Sequence, residues 1–128
     1  DHMLIPEIAI DAKIKLNNIS TKFFRVLKQF APFGPDNMAP VFLTENVVDT
    51  GYASIVGKNH LKLSVVHPDI SGFPVAGIAF QQGDKLPVVQ SGKPFSICYH
   101  VEENEWNGHV SLQLNIKDIK TYTSENGY

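Results

Sequence analysis

Residues 94–120 read PFSICYHVEENEWNGHVSLQLNIKDIK, and this stretch decides the fold. In its first arm Phe95, Ile97, Tyr99 and Val101 alternate with Ser96, Cys98, His100 and Glu102. In its second arm Val110, Leu112, Leu114 and Ile116 alternate with Ser111, Gln113, Asn115 and Lys117. Successive strand residues face opposite ways, so each arm has an apolar face and a polar face. The run Glu103-Asn104-Glu105-Trp106-Asn107-Gly108 between them is rich in turn formers. The pattern predicts a long antiparallel hairpin that turns over residues 103–108, with the chain's single tryptophan at its tip. One face requires a core. The other is left for solvent or a ligand.

Upstream of the hairpin the pattern stays β. Val41 to Val56 is long enough for a bent strand or a hairpin, with Asp49-Thr50-Gly51 as the kink. Gly57-Lys58-Asn59-His60 is a turn. Leu61, Leu63 and Val65 then alternate with His60, Lys62, Ser64 and Val66. His67 to Pro74 reads as a loop and Val75 to Phe80 as a short apolar strand. Gln81 to Gly92 holds a helical turn around Asp84-Lys85-Leu86. Three strands, a short connector and two strands are the string of the oligonucleotide/oligosaccharide-binding (OB) fold, a partly open five-stranded Greek-key barrel. Other small barrels give a similar string.

The N-terminal part has a different rhythm. Leu4 to Leu16 alternates as a strand, through Ile8, Ile10, Ala12, Ile14 and Leu16, and Asn17-Asn18 breaks it. Ser20 is a helix N-cap, and Phe23, Val26, Leu27 and Phe30 follow at helical spacing until Pro32 stops the helix. Ala31 to Pro40 is a linker in content. The expected organisation is a tag remnant at 1–3, a strand–helix connector and linker at 4–40, a barrel at 41–120 and a fraying tail at 121–128. The expected fold is mainly β: a five-stranded OB barrel with an N-terminal strand–helix connector.

Bulk properties narrow the class. At 128 residues the chain is one domain, able to bury roughly two thirds of its unfolded surface. The lone Cys98 forms no internal disulfide, which fits a reducing cytoplasm. No apolar run approaches the roughly 20 residues that span a bilayer, and no signal-peptide pattern opens the chain. The net charge of −2 argues against a strong nucleic-acid binder unless cations cluster locally.

Three motifs, in order, carry a family resemblance. They are Ala31-Pro32-Phe33-Gly34-Pro35-Asp36-Asn37 with Pro40 and Phe42; Val56-Gly57-Lys58-Asn59-His60-Leu61-Lys62; and Asn104-Glu105-Trp106-Asn107-Gly108 through Leu112-Gln113-Leu114 to Lys117-Asp118-Ile119. Together they resemble the C-terminal OB region of RecJ, a family of bacterial exonucleases specific for single-stranded DNA. The likeness runs from about Ile10 to Lys120, and departs from the family pattern at Met38-Ala39. It implies 5′–3′ digestion in DNA repair and recombination by a two-lobed, manganese- or magnesium-dependent catalytic core. The motifs of that core are absent from this sequence. It also implies that this barrel contacts the DNA strand beside those lobes.

Catalysis by this stretch alone is not expected. His60, His67, His100 and His109 fall on different elements without metal-site spacing, so no cofactor is expected here. Cys98 has no recognisable activating partner. The candidate DNA-contacting residues are Lys58, His60 and Lys62 in the loop between the first two barrel strands. Asn104, Trp106 and Asn107 in the last hairpin complete the set. Trp106 either stacks on a base or closes a barrel end. Glu102, Glu103 and Glu105 beside it repel phosphate within a Debye length. The competing expectation is a clamp domain that packs on the catalytic lobes or a partner protein. Its N-terminal strand edge and helix face, when free, would pair between copies or fold back onto their own barrel.

Overall fold

The computed structural model describes residues 9–121. Its strands are β1 (Ala12–Lys13), β2 (Phe42–Asp49), β3 (Ser54–Val56), β4 (His60–Val66), β5 (Val75–Ala79), β6 (Phe95–Trp106) and β7 (His109–Thr121). Two helices, α1 (Thr21–Lys28) and α2 (Leu86–Gln90), and 3-10 turns at Leu16–Asn18 and Gly83–Lys85 complete it. The sheet runs β1-β2-β6-β7-β5-β4-β3, and a further β2–β4 pairing closes it into a ring. The ring strands are β2, β4, β5, β7 and β6, with β5 and β7 parallel and the other neighbours antiparallel. This is the expected OB barrel. The sheet has seven strands rather than five because β1 adds parallel to β2 and β3 adds antiparallel to β4.

Inward-facing residues follow the alternation. Phe95, Ile97, Tyr99 and Val101 of β6 meet Leu114, Ile116 and Ile119 of β7 and Leu61, Leu63 and Val65 of β4 in one buried cluster. Val89 of α2 joins them. Burying side chains of this size contributes roughly 1.5–3 kcal/mol each.

The seam between β2 and β4 is narrow, with only Val48↔Val66 and Asp49↔Val65 paired. The Asp49 carboxylate reinforces it. Its Oδ2 accepts from the backbone N–H of Gly51 (2.7 Å) and Ala53 (3.1 Å), and its Oδ1 from that of Ser64 (3.1 Å). The kink read at residues 49–51 is therefore a hydrogen-bonded corner, with Gly51 at φ 104°.

The N-terminal segment is tied into the barrel by buried polar groups. Thr44 Oγ1 donates to the Ile14 carbonyl (2.9 Å), so the Tyr99 hydroxyl, 2.6 Å away, donates to Thr44. The Leu16 N–H donates to His67 Nε2 (3.1 Å), which leaves Nδ1 to donate to the Asn46 carbonyl (2.9 Å). Among the described residues the N-terminal strand shortens to Ala12–Lys13, and Leu4–Ile8 of the expected strand lie outside them. The Asp11 carboxylate accepts from Val41 N–H (2.8 Å) just ahead of it. Asn18 Oδ1 takes the Lys15 N–H (3.0 Å) and coils the chain into a turn before the alternation can continue.

Ser20 caps α1 through its Oγ, which accepts from Phe23 N–H (3.1 Å). The helix ends at Lys28, earlier than expected, but turn hydrogen bonds continue to Ala31, next to Pro32. The stretch read as a linker is ordered by Asn37, whose Nδ2 donates to the Phe30 (2.6 Å) and Pro32 (2.8 Å) carbonyls.

The hairpin departs from expectation at its tip. Strand pairing continues through Glu103↔Leu112, Asn104↔Ser111 and Glu105↔Val110 to Trp106↔His109. Only Asn107 (φ 52°) and Gly108 (φ 81°) form the turn. Consecutive left-handed residues give the turn whose twist matches an antiparallel pair, and glycine adopts that backbone at no steric cost. The polar run 103–106 is thus strand, and residues 102–111 form an arm exposed on both faces. Thr121, expected in the tail, ends β7; the remainder of the tail lies outside the described residues.

Burial pushes the Tyr99 phenol up from 10 to about 12. The folded state therefore holds this proton more tightly than the unfolded chain. The stability involved is complete below pH 10 and is lost as the pH rises through about 12. Tyr99→Phe is expected to cost about 1–2 kcal/mol at neutral pH. Urea unfolding across alkaline pH should show the wild type losing its advantage over the variant between these two values. A constant difference would refute the assignment.

Candidate nucleic-acid interface

The connection between the first two barrel strands, β2 and β4, runs from Thr50 to Asn59 and contains β3. It is longer than the Gly57–His60 loop expected from sequence. Those residues form only its tip, because Ser54–Val56 turns back to pair with β4.

The tip is braced by the connector after β5. Gly83 N–H donates to the Asn59 carbonyl (3.1 Å) and Gln81 Nε2 to the Lys58 carbonyl (3.4 Å). Gln81 N–H donates to His60 Nδ1 (3.1 Å), which makes that nitrogen an acceptor and assigns the ring proton to Nε2. The His60 ring meets Phe80 edge-on, with centroids 5.1 Å apart at 76°. Phe80 is 50% exposed.

Lys58 and Lys62 stand exposed around this pair. Lys62 lies opposite Ile78, on the outer face of the sheet. A third cation arrives through an irregularity. Cys98 pairs with Asp118 and Tyr99 with Ile116, so Lys117 is the extra residue of a bulge and is exposed. None of these three lysines is in an ion pair among the described residues. Lys85, nearby, is bonded to Asp118 Oδ1 (2.8 Å).

The other predicted residues lie elsewhere. Asn104 and Trp106 sit on the projecting arm and Asn107 in its turn. Lys117 and His109 are separated by about 26 Å along β7. The structure therefore brings Lys58, His60 and Lys62 together and leaves Asn104, Trp106 and Asn107 at the opposite end of the sheet. Trp106 is 73% exposed, so it does not close the barrel. The arm is acidic. Glu102 accepts from Asn115 Nδ2 (3.0 Å) and Glu103 pairs with Lys28 (3.5 Å), with Glu105 beside them. An exposed anion–cation contact of that length contributes little, so the arm keeps its negative field.

Sequence reading missed Phe80 and Lys117. Phe80 ends an apolar run, and nothing in that run marks it as the member that emerges. Lys117 fits the alternation as an ordinary polar position; its prominence comes from the bulge.

Two of the histidines and the cysteine are occupied or unreactive. His67 has both ring nitrogens bonded, and His100 Nδ1 donates to the Pro40 carbonyl (2.8 Å). Burial first, and then the Asp118 charge, push the Cys98 thiol up, away from the reactive thiolate. One side of α1 carries an apolar groove that the other described residues leave open. Phe23, Val26, Leu27, Phe30 and Phe42 line a groove of about 380 Å³, and Phe30 is 63% exposed.

The RecJ OB domain family is matched over residues 10–118. Among solved structures, crystal structures of RecJ from Thermus thermophilus in complex with Mn²⁺ and with Mg²⁺ superpose with TM-scores of 0.58 and 0.56. Each is 24% identical over 80% of this chain, which spans 14% and 15% of theirs. No curated protein matches the chain.

The brace is tight at Gly83, where an added Cβ would run into the Asn59 side-chain oxygen and stand 3.3 Å from the Asn59 carbonyl oxygen. Gly83→Ala is expected to displace the tip, read as amide chemical-shift changes at Lys58–His60. Gly72→Ala, where a Cβ meets open space, serves as the control. Unchanged tip shifts in Gly83→Ala would show that the connector does not position these residues.

Proposed function

The chain belongs to the RecJ OB domain family, and we propose that it is the non-catalytic, single-stranded-DNA-contacting domain of a RecJ-like 5′–3′ exonuclease acting in DNA repair and recombination. The observation that carries this reading is the cluster on the outer face of β4, β5 and β7. Among the described residues, Lys58, Lys62 and Lys117 are free of ion pairs there, around the His60–Phe80 aromatic pair. Single-strand binding combines cations that follow the backbone with flat side chains on which bases stack. Of the two groups of predicted residues, Lys58, His60 and Lys62 meet that requirement. Asn104, Trp106 and Asn107 would guide the strand at the far end against the field of the arm's carboxylates.

The magnitude is modest. Three phosphate contacts correspond to a salt slope of about −2 for a single strand. Such binding is useful mainly when the domain is tethered to catalytic lobes, where the effective concentration is on the order of millimolar. The metal-dependent chemistry belongs to those lobes, with manganese or magnesium as the ions.

The uncovered α1 groove supports a second reading, in which the domain clamps the catalytic lobes of the same chain and has little DNA affinity of its own. Fluorescence anisotropy with a labelled single-stranded oligonucleotide separates the two. The DNA-contacting reading predicts salt-sensitive binding, weakened several-fold in Lys58→Ala/Lys62→Ala with a salt slope shallower by roughly 1.4. Absence of binding at low salt would leave the clamp.

A further inference from the structure

We propose that the outer face of β5 carries a second base-stacking position, at Phe73, so that one single strand is held between Phe80 after β5 and Phe73 before it. This rests on the DNA-contacting reading above and extends it to a new site for an unstacked nucleobase.

Phe73 is 92% exposed, more than any other large apolar residue described. It stands in the loop Ser71-Gly72-Phe73-Pro74 at the mouth of a cavity of about 500 Å³. The cavity walls include Ile19, Val66, Ile70, Ala76 and Leu112, with Ser71 and Ser111 as hydroxyl groups at hand. No carboxylate or ammonium group lines it. This is the chemistry a nucleobase fits: an aromatic plane to stack on, apolar walls, and a few polar groups for its edges.

Two wall residues of the cavity, Val66 and Ala76, share the outer face with Lys62 and Ile78, which brings the cavity beside the path of the basic cluster. Val65 pairs with Val75 and Ser64 with Ala76 at one end of β5, while Lys62 pairs with Ile78 and Leu61 with Ala79 at the other. Phe73 and Phe80 therefore flank β5 at opposite ends, no more than about 23 Å apart. Ala76 and Ile78 between them share the outer face with Lys62 and offer no charge to a passing strand. That span suits a site of several nucleotides, at the small end of the roughly 4–16 that one OB fold covers.

The two ends should differ in kind. Lysines surround Phe80, so binding there responds to salt. No cation lines the Phe73 cavity, so its contribution is stacking and does not.

The test is an anisotropy titration of the whole chain with oligothymidylates from about 2 to about 12 nucleotides, at two salt concentrations. Wild type is compared with Phe73→Ala and Phe73→Trp. The expected results are equal affinity of wild type and Phe73→Ala for the shortest oligonucleotides and a loss of roughly fivefold or more in Phe73→Ala for the longer ones. The salt slope should be unchanged, and Phe73→Trp should recover the affinity. The thermal transitions of the variants should overlay that of wild type, because the side chain is almost wholly exposed. Equal affinities at every length would overturn the second position while leaving the basic cluster standing, as would a tryptophan variant no better than the alanine one. A wild type that binds no oligonucleotide would overturn both.

Discussion

Closure of the barrel rests on two residue pairs between β2 and β4, and the Asp49 carboxylate holds the corner at which they meet. Three backbone N–H groups point at its two oxygens. Hydrogen bonds to a charged acceptor contribute about 1.5–3 kcal/mol each, more than neutral ones. This corner sends the chain out as the 50–59 connection and returns it at His60. It fixes the start of that connection, while pairing of β3 with β4 and the bonds from Gln81 and Gly83 fix its tip at Lys58–His60. The proposed DNA-contacting cluster thus depends on the closed sheet and on its connector together.

The N-terminal segment obeys the same logic. The Tyr99, Thr44 and Ile14 chain and the Leu16, His67 and Asn46 chain each pass from a residue before α1 to a buried group of the barrel. A buried hydroxyl or imidazole left without its partner costs free energy, so these bonds orient the segment as well as hold it. They set the position of α1, whose Phe23 packs edge-on against Phe42 (5.4 Å) while Phe30 stays outside. The helix therefore has one side committed to the barrel and another available to a neighbour.

Much of this was legible in the sequence wherever one periodicity ran unbroken. Phe95 to Val101, Leu112 to Ile116 and Leu61 to Val65 alternate because one face of each strand is buried, and all three became strands. Ser20 announced its helix. Glu103 to Trp106 reads as part of the turn because both faces of the arm meet solvent, which removes the alternation that marks a strand. The shortening of the N-terminal strand depends on Asp11 and Asn18 capturing backbone N–H groups, a competition that a hydrophobic pattern does not record. The candidate site was legible in part. Lys58, His60 and Lys62 sit in the expected connection, but Lys117 needed a bulge, and nothing in the alternation marks Phe80 or Phe73 as exposed.

Electrostatics divides the molecule more sharply than its net charge of −2 implies. Lys58, Lys62 and Lys117, none of them in a described ion pair, stand at the His60 end of the outer face, and Glu102, Glu103 and Glu105 stand on the arm. The central claim is that single-stranded DNA meets the first and avoids the second. Chemical-shift perturbation of the ¹⁵N-labelled chain on titration with a short oligothymidylate tests it most directly. The account predicts that amides of Lys58 to Lys62, Phe80, Gln81 and Lys117 move, while those of Glu103 to His109 stay in place. Movement confined to the arm, with the lysine cluster silent, would contradict it.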